Sequence, residues 1–129
     1  MPSAPACHAT PGSSAAEWFG RGMTLLAKQP AQAQACFADA AAADPTWDQP
    51  LAQLGEAQLR TGTLSSAAGH LRHAARLALA EGNRTAAAAH QRAVGEAYAT
   101  KGKWTPAARA FAEAFRHAPV CRSGARIPG

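Results

Sequence analysis

Two histidines and a cysteine come nearest to a chemical constellation in this sequence. His70 and His73 are one helical turn apart, and Cys36 precedes His70 by 34 residues. If the segments around Cys36 and His70 are equivalent helices, the three side chains converge on neighbouring faces, with imidazole and thiolate donors that suit zinc or copper. The set has no fourth ligand and no group to orient the imidazoles, so it reads as surface histidines on a helix flank, and no metal is assigned. Other templates fail on spacing. Gly20 and Gly22 begin a dinucleotide-binding pattern whose third glycine would fall at Leu25, with no strand ahead of it. Gly102 and Lys103 lack the upstream glycine of a phosphate loop, where Ala97 stands, and Trp104 replaces its Ser or Thr. No Ser or Cys has His and carboxylate partners at a spacing that suggests a triad. The sequence therefore predicts no enzyme and no cofactor.

The elements available to position a site are helices, since no strand period competes. Ser14 and Glu17 make a capping box for a first helix over about Ala15 to Lys28, and Pro30 starts a second that runs to Ala43, before Asp44 and Pro45. Thr46 and Gln49 offer another capping box, ahead of a third helix that reaches Arg60 and ends at Gly62. Thr63 caps a fourth, to about Ala80. The fifth spans about Thr85 to Thr100, and Thr105 caps a sixth from Pro106 to His117. Small residues at Gly95, Ala107 and Ala114 allow close approach of the last two helices, with Tyr98, Trp104 and Phe111 filling the space between.

These helix pairs repeat. Gly95, Tyr98, Ala107, Phe111, Ala114 and Pro119 keep the spacing of Gly55, Gln58, Ala67, Leu71, Ala74 and Leu79. Gly22, Leu25, Ala33, Phe37, Ala40 and Pro45 match when one turn is a residue shorter. The pattern resembles the tetratricopeptide (TPR) repeat, carried by Trp18, Gly22, Leu25, Ala33, Phe37, Ala40 and Pro45 in the first copy. Leu51, Leu54, Gly55, Ala67, Leu71 and Ala74 carry it in the second, and Val94, Gly95, Tyr98, Ala107, Phe111, Ala114 and Pro119 in the third. The resemblance implies an all-α, right-handed α-solenoid of three antiparallel helix pairs over residues 15–119, with repeats at about 15–47, 48–81 and 88–119. Ala67 to Ala107 is 40 residues where Ala33 to Ala67 is 34, and Gly82, Asn83 and Arg84 are expected to form a wider turn there.

Outside the repeats, residues 1–14 read as a disordered lead-in with neither a signal nor a membrane segment, and residues 120–129 as a flexible tail. Cys7, Cys36 and Cys121 are far apart and odd in number, which gives no disulfide framework and points to a reducing cytoplasm. Charge is divided along the chain. Residues 1–58 carry Arg21 and Lys28 against five carboxylates, a net of −3, and residues 59–129 carry eleven Lys or Arg against three, a net of +8. Such polarity can steer an acidic partner or align copies head to tail, although a solvated convex face is the simpler reading. Electrostatic nucleic-acid binding through the basic half is the weakest alternative.

The resemblance also implies where a partner binds. Family positions that face the concave groove map to Phe19, Met23 and Leu26 in the first repeat, to Gln49, Ala52, Gln53, Glu56 and Arg60 in the second, and to Arg92, Glu96 and Ala99 in the third. An apolar end and a polar, charged end suit an extended or helical peptide with an apolar anchor. The expected function is a non-catalytic protein-interaction module, with a small chaperone-like escort of a secreted protein as the narrower alternative. No capping helix pattern follows Pro119, so Phe115 and the outer side of the sixth helix are expected to form an open edge that self-associates or meets a partner.

Overall fold

Proline, glycine and short polar side chains divide residues 14–118, the part of the chain described by a computed structural model, into six α-helices. They are α1 (Ala15–Leu26), α2 (Pro30–Ala43), α3 (Asp48–Thr61), α4 (Leu64–Ala80), α5 (Arg84–Thr100) and α6 (Trp104–His117). No strand occurs among the described residues. The lead-in, the tail, Pro119, Cys7 and Cys121 lie outside them.

The capping box at α1 forms. The Glu17 N–H donates to Ser14 Oγ at 3.2 Å, and the Ser14 N–H to Glu17 Oε1 at 2.8 Å. The helix then ends two residues before Lys28. Pro30 opens α2, where its missing N–H costs nothing. Gly62, Gly82 and Gly102 follow α3, α4 and α5 with φ of 91°, 78° and 74°, the left-handed conformation that lets a chain turn directly into the next helix.

Three local expectations are corrected. Thr46 and Gln49 make no capping box, because Thr46 gives both its N–H and its hydroxyl to Asp44 Oδ1, and α3 starts after Trp47. Thr63 precedes α4 without capping it; its hydroxyl donates back to the Gln58 carbonyl. Helix α6 begins at Trp104, so Thr105 and Pro106 sit inside its first turn, where proline is tolerated. The longer spacing between the second and third repeats is also not a wider turn. Only Glu81, Gly82 and Asn83 separate α4 from α5, and both helices run to 17 residues, against 14 in α2, α3 and α6. Asn83 makes this possible by accepting the Ala86 N–H at 3.0 Å, which starts α5 before Thr85.

Each helix packs against its neighbours in chain order, with a minor contact between α1 and α3. Within each pair a glycine receives a large side chain from the partner helix. A Cβ built on Gly22 would lie 2.5 Å from the Phe37 ring, one on Gly55 would lie 2.8 Å from Leu71 Cγ, and one on Gly95 would lie 2.8 Å from Phe111. Three contacts at one register make the six-helix arrangement compatible with helical repeats. Leu26, Phe37, Leu51, Leu54, Leu71 and Val94 form the centre of the core. Alanine supplies 15 of the 23 buried apolar residues among those described, so interhelical distances are short and little apolar area is buried per residue. Trp104, expected between α5 and α6, is instead 69% exposed, because it stands at the start of α6. No described helix is long and apolar enough to cross a membrane.

Candidate functional site

Four residues of α3, Gln49, Gln53, Glu56 and Arg60, recur at intervals of four and three and so share one helix face. Together with Leu26, Ala52, Leu71, His90 and Ala93 they line a cleft of about 310 Å³. A second cleft of about 240 Å³ is lined by Glu56, Leu59, Ala93, Glu96, Ala97, Thr100 and Lys101. Glu56 and Ala93 border both, so the two are continuous along the furrow between α3 and α5. Leu26, Ala52, Leu71 and Ala93 give the first cleft apolar surface, while Gln49 and Gln53 bring carboxamides that both donate and accept. Arg60 pairs with Glu56 at 3.4 Å, and both are substantially exposed.

One edge of this furrow is braced by a polar contact between α3 and α5. His90 Nε2 lies 2.7 Å from Asp48 Oδ2, and both side chains are largely buried. The ring N–H donates to the carboxylate, and the Gln49 amide donates to the same oxygen at 3.3 Å. Asp48 also occupies the first turn of α3, where the helix dipole favours a negative charge. The brace fixes the His90 ring against the cleft and holds Gln49 beside it.

The remaining expected groove residues are divided. Glu96 lines the second cleft. Phe19 does not line either one; it packs, half-buried, against Phe37 and Trp47, with ring centroids 5.7 and 4.9 Å away. Met23 is 44% exposed and Arg92 is exposed, each outside both clefts. Asp48 and His90 were not among the expected groove residues. Their separation of 42 residues, close to the 40-residue step between the second and third repeats, is the signal that could have paired them.

The residues with metal-like chemistry are held apart from such a role. Cys36 is fully buried and disulfide-bonded, so it has no thiolate to offer. It is the one cysteine among the described residues, and its bonding partner is therefore Cys7 or Cys121. The odd count of cysteines concealed this bond, because three widely spaced cysteines still permit one pair when the fold brings them together. His70 Nδ1 donates to Gln58 Oε1 at 2.8 Å. Partial burial holds its pKa below the ordinary value of 6.5, against a hydrogen bond from the Ser66 backbone that raises it, and the nearby His73 lowers it further.

No protein-family model and no curated protein matches this chain.

Proposed function

We propose that the chain is a non-catalytic, TPR-like interaction module that holds a peptide segment of a partner protein along the α3–α5 furrow. Six helices packed in chain order, with a glycine-to-large contact repeated in each pair, support reading the fold as three TPR-like repeats in a right-handed α-solenoid. The single observation that carries the function is the continuous furrow, in which apolar surface from Leu26, Leu71 and Ala93 lies beside the carboxamides of Gln49 and Gln53 and the Glu56–Arg60 pair. Apolar surface takes an anchor side chain, and the carboxamides take the backbone N–H and C=O groups of an extended segment.

The test is binding of the full chain to an array of unrelated peptides, read by fluorescence anisotropy. Peptides with an aliphatic or aromatic anchor should bind, and Gln53→Ala should weaken them by about tenfold while leaving the fold intact. Binding that is indifferent to Gln53→Ala and Glu56→Ala, or that requires nucleic acid in place of peptide, would overturn the proposal.

A further inference from the structure

We propose that copies of this chain associate head to tail, with α6 of one copy seated against α1 of the next. The inference rests on comparing residues at the same register of the three helix pairs, which the Gly22–Phe37, Gly55–Leu71 and Gly95–Phe111 contacts fix independently. On α4, Ala68 and Ala75 flank Leu71 and are buried, since α5 packs on that helix. At the same register on α6, Ala108 and Phe115 flank Phe111 and are exposed, Phe115 to 86%, because among the described residues no helix follows α6. The opposite end is bare in the complementary sense. Two residues after the packing glycine, Ala57 of α3 and Ala97 of α5 are buried, whereas Thr24 of α1, with no helix before it, is exposed.

The two ends therefore carry the two halves of a contact that the chain makes twice within itself, between α2 and α3 and between α4 and α5. Size complements as well as register. The bulk on α6 is Phe115, and the α1 face offers Thr24 and Gly20, where an added Cβ would meet open space. No contact within the described chain accounts for a glycine there. Charge selects the pairing: the half that contains α1 carries a net of −3 and the half that contains α6 a net of +8, so unlike ends attract. Pairing α6 with a second α6 would bring Arg109 and Arg116 of both copies together. A heterologous contact of this kind extends into a ring or a filament and does not stop at a two-fold dimer.

The experiment is sedimentation velocity on the full chain and two full-length variants over a wide concentration range. Phe115→Glu spoils the α6 face and Thr24→Arg the α1 face, both at exposed positions, and circular dichroism checks that each variant stays helical. The wild-type chain should form species that grow with concentration, and each variant should weaken association by at least about tenfold. An equimolar mixture of the variants should form a 1:1 complex and go no further, because each contributes one intact face. A wild-type chain that stays monomeric, as when residues 119–129 of its own chain cover α6, would overturn the proposal. So would loss of association in Phe115→Glu with none in Thr24→Arg, which marks α6 pairing with itself, or a mixture that remains monomeric.

Discussion

Gly22 lies so close to Phe37 that a Cβ on it would come within 2.5 Å of the ring, and Phe37 is fully buried with nowhere to move. Gly95 meets Phe111 in the same way at 2.8 Å, but Phe111 is 37% exposed and its ring can swing outward. Gly20 has open space where its Cβ would be. The same substitution should thus give three outcomes. Overpacking costs about 1–3 kcal/mol and alanine regains about 1 kcal/mol of helix propensity, so Gly22→Ala should lose about 1–2 kcal/mol and Gly95→Ala should be close to neutral. Gly20→Ala should gain about 0.5–1 kcal/mol. Urea unfolding in dilute solution checks the order, and equal shifts at Gly22 and Gly20 would contradict it.

The Asp48–His90 contact predicts an asymmetry of its own. Asp48→Ala removes the acceptor and leaves a buried imidazole N–H unmatched, a loss of about 1–3 kcal/mol. Asp48→Asn keeps an acceptor oxygen and should retain most of the stability. If the furrow binds peptide, Asp48→Ala should also weaken binding through the displaced Gln49, measured with the anisotropy assay at a temperature where both variants are folded.

His70 gives a pH dependence. Its pKa in the folded chain lies below the ordinary 6.5, chiefly because burial disfavours the imidazolium. The folded state then binds this proton less readily than the unfolded chain. Its contribution to stability is intact above pH 6.5 and declines as the pH falls below that value, until the folded-state pKa is reached. Melting curves should therefore diverge below pH 6.5, with His70→Gln losing less stability on acidification than the wild-type chain. Parallel curves for the two proteins would remove His70 as the cause.

Two short polar residues that look alike in sequence should behave differently. Ser14 caps α1 by a reciprocal pair of hydrogen bonds, and Ser14→Ala should cost about 1 kcal/mol. Thr63 makes no cap bond to α4, so Thr63→Ala should cost only about 0.5 kcal/mol, the share of an exposed hydroxyl on the Gln58 carbonyl. Chemical denaturation of both variants compares them directly.

The helix pairs were legible because their signals are local. Gly62, Gly82 and Gly102 end helices by a conformation that glycine alone adopts without strain, and Gly22, Gly55 and Gly95 recur opposite large residues at a constant offset. Capping was less legible, since Thr46, Thr63 and Thr105 each have a competing use of the hydroxyl or the chain that only tertiary packing decides. Asn83 shows the same limit from the other side: read as part of a wide turn, it caps α5 and moves the extra residues into two longer helices. In the furrow, Gln49, Gln53, Glu56 and Arg60 could be grouped by helix periodicity, but the Asp48–His90 bond joins separate helices and has no local signal. Phe19 has groove spacing, yet Trp47 draws its ring inward. The Cys36 disulfide depends on residues that composition places far apart.

Packing in chain order has a kinetic consequence. When contacts join mostly adjacent helices, the mean sequence separation of contacting residues is small, and chains of that kind fold on the order of microseconds to milliseconds. Opening need not be all-or-none either. The terminal helix α6 rests on α5 alone and can detach while α2, α3 and α4 remain in place, so amide protons should exchange fastest at α6 and slowest near Phe37, Leu54 and Leu71. Any neighbour that settles on α6 would slow that exchange at one end of the molecule first.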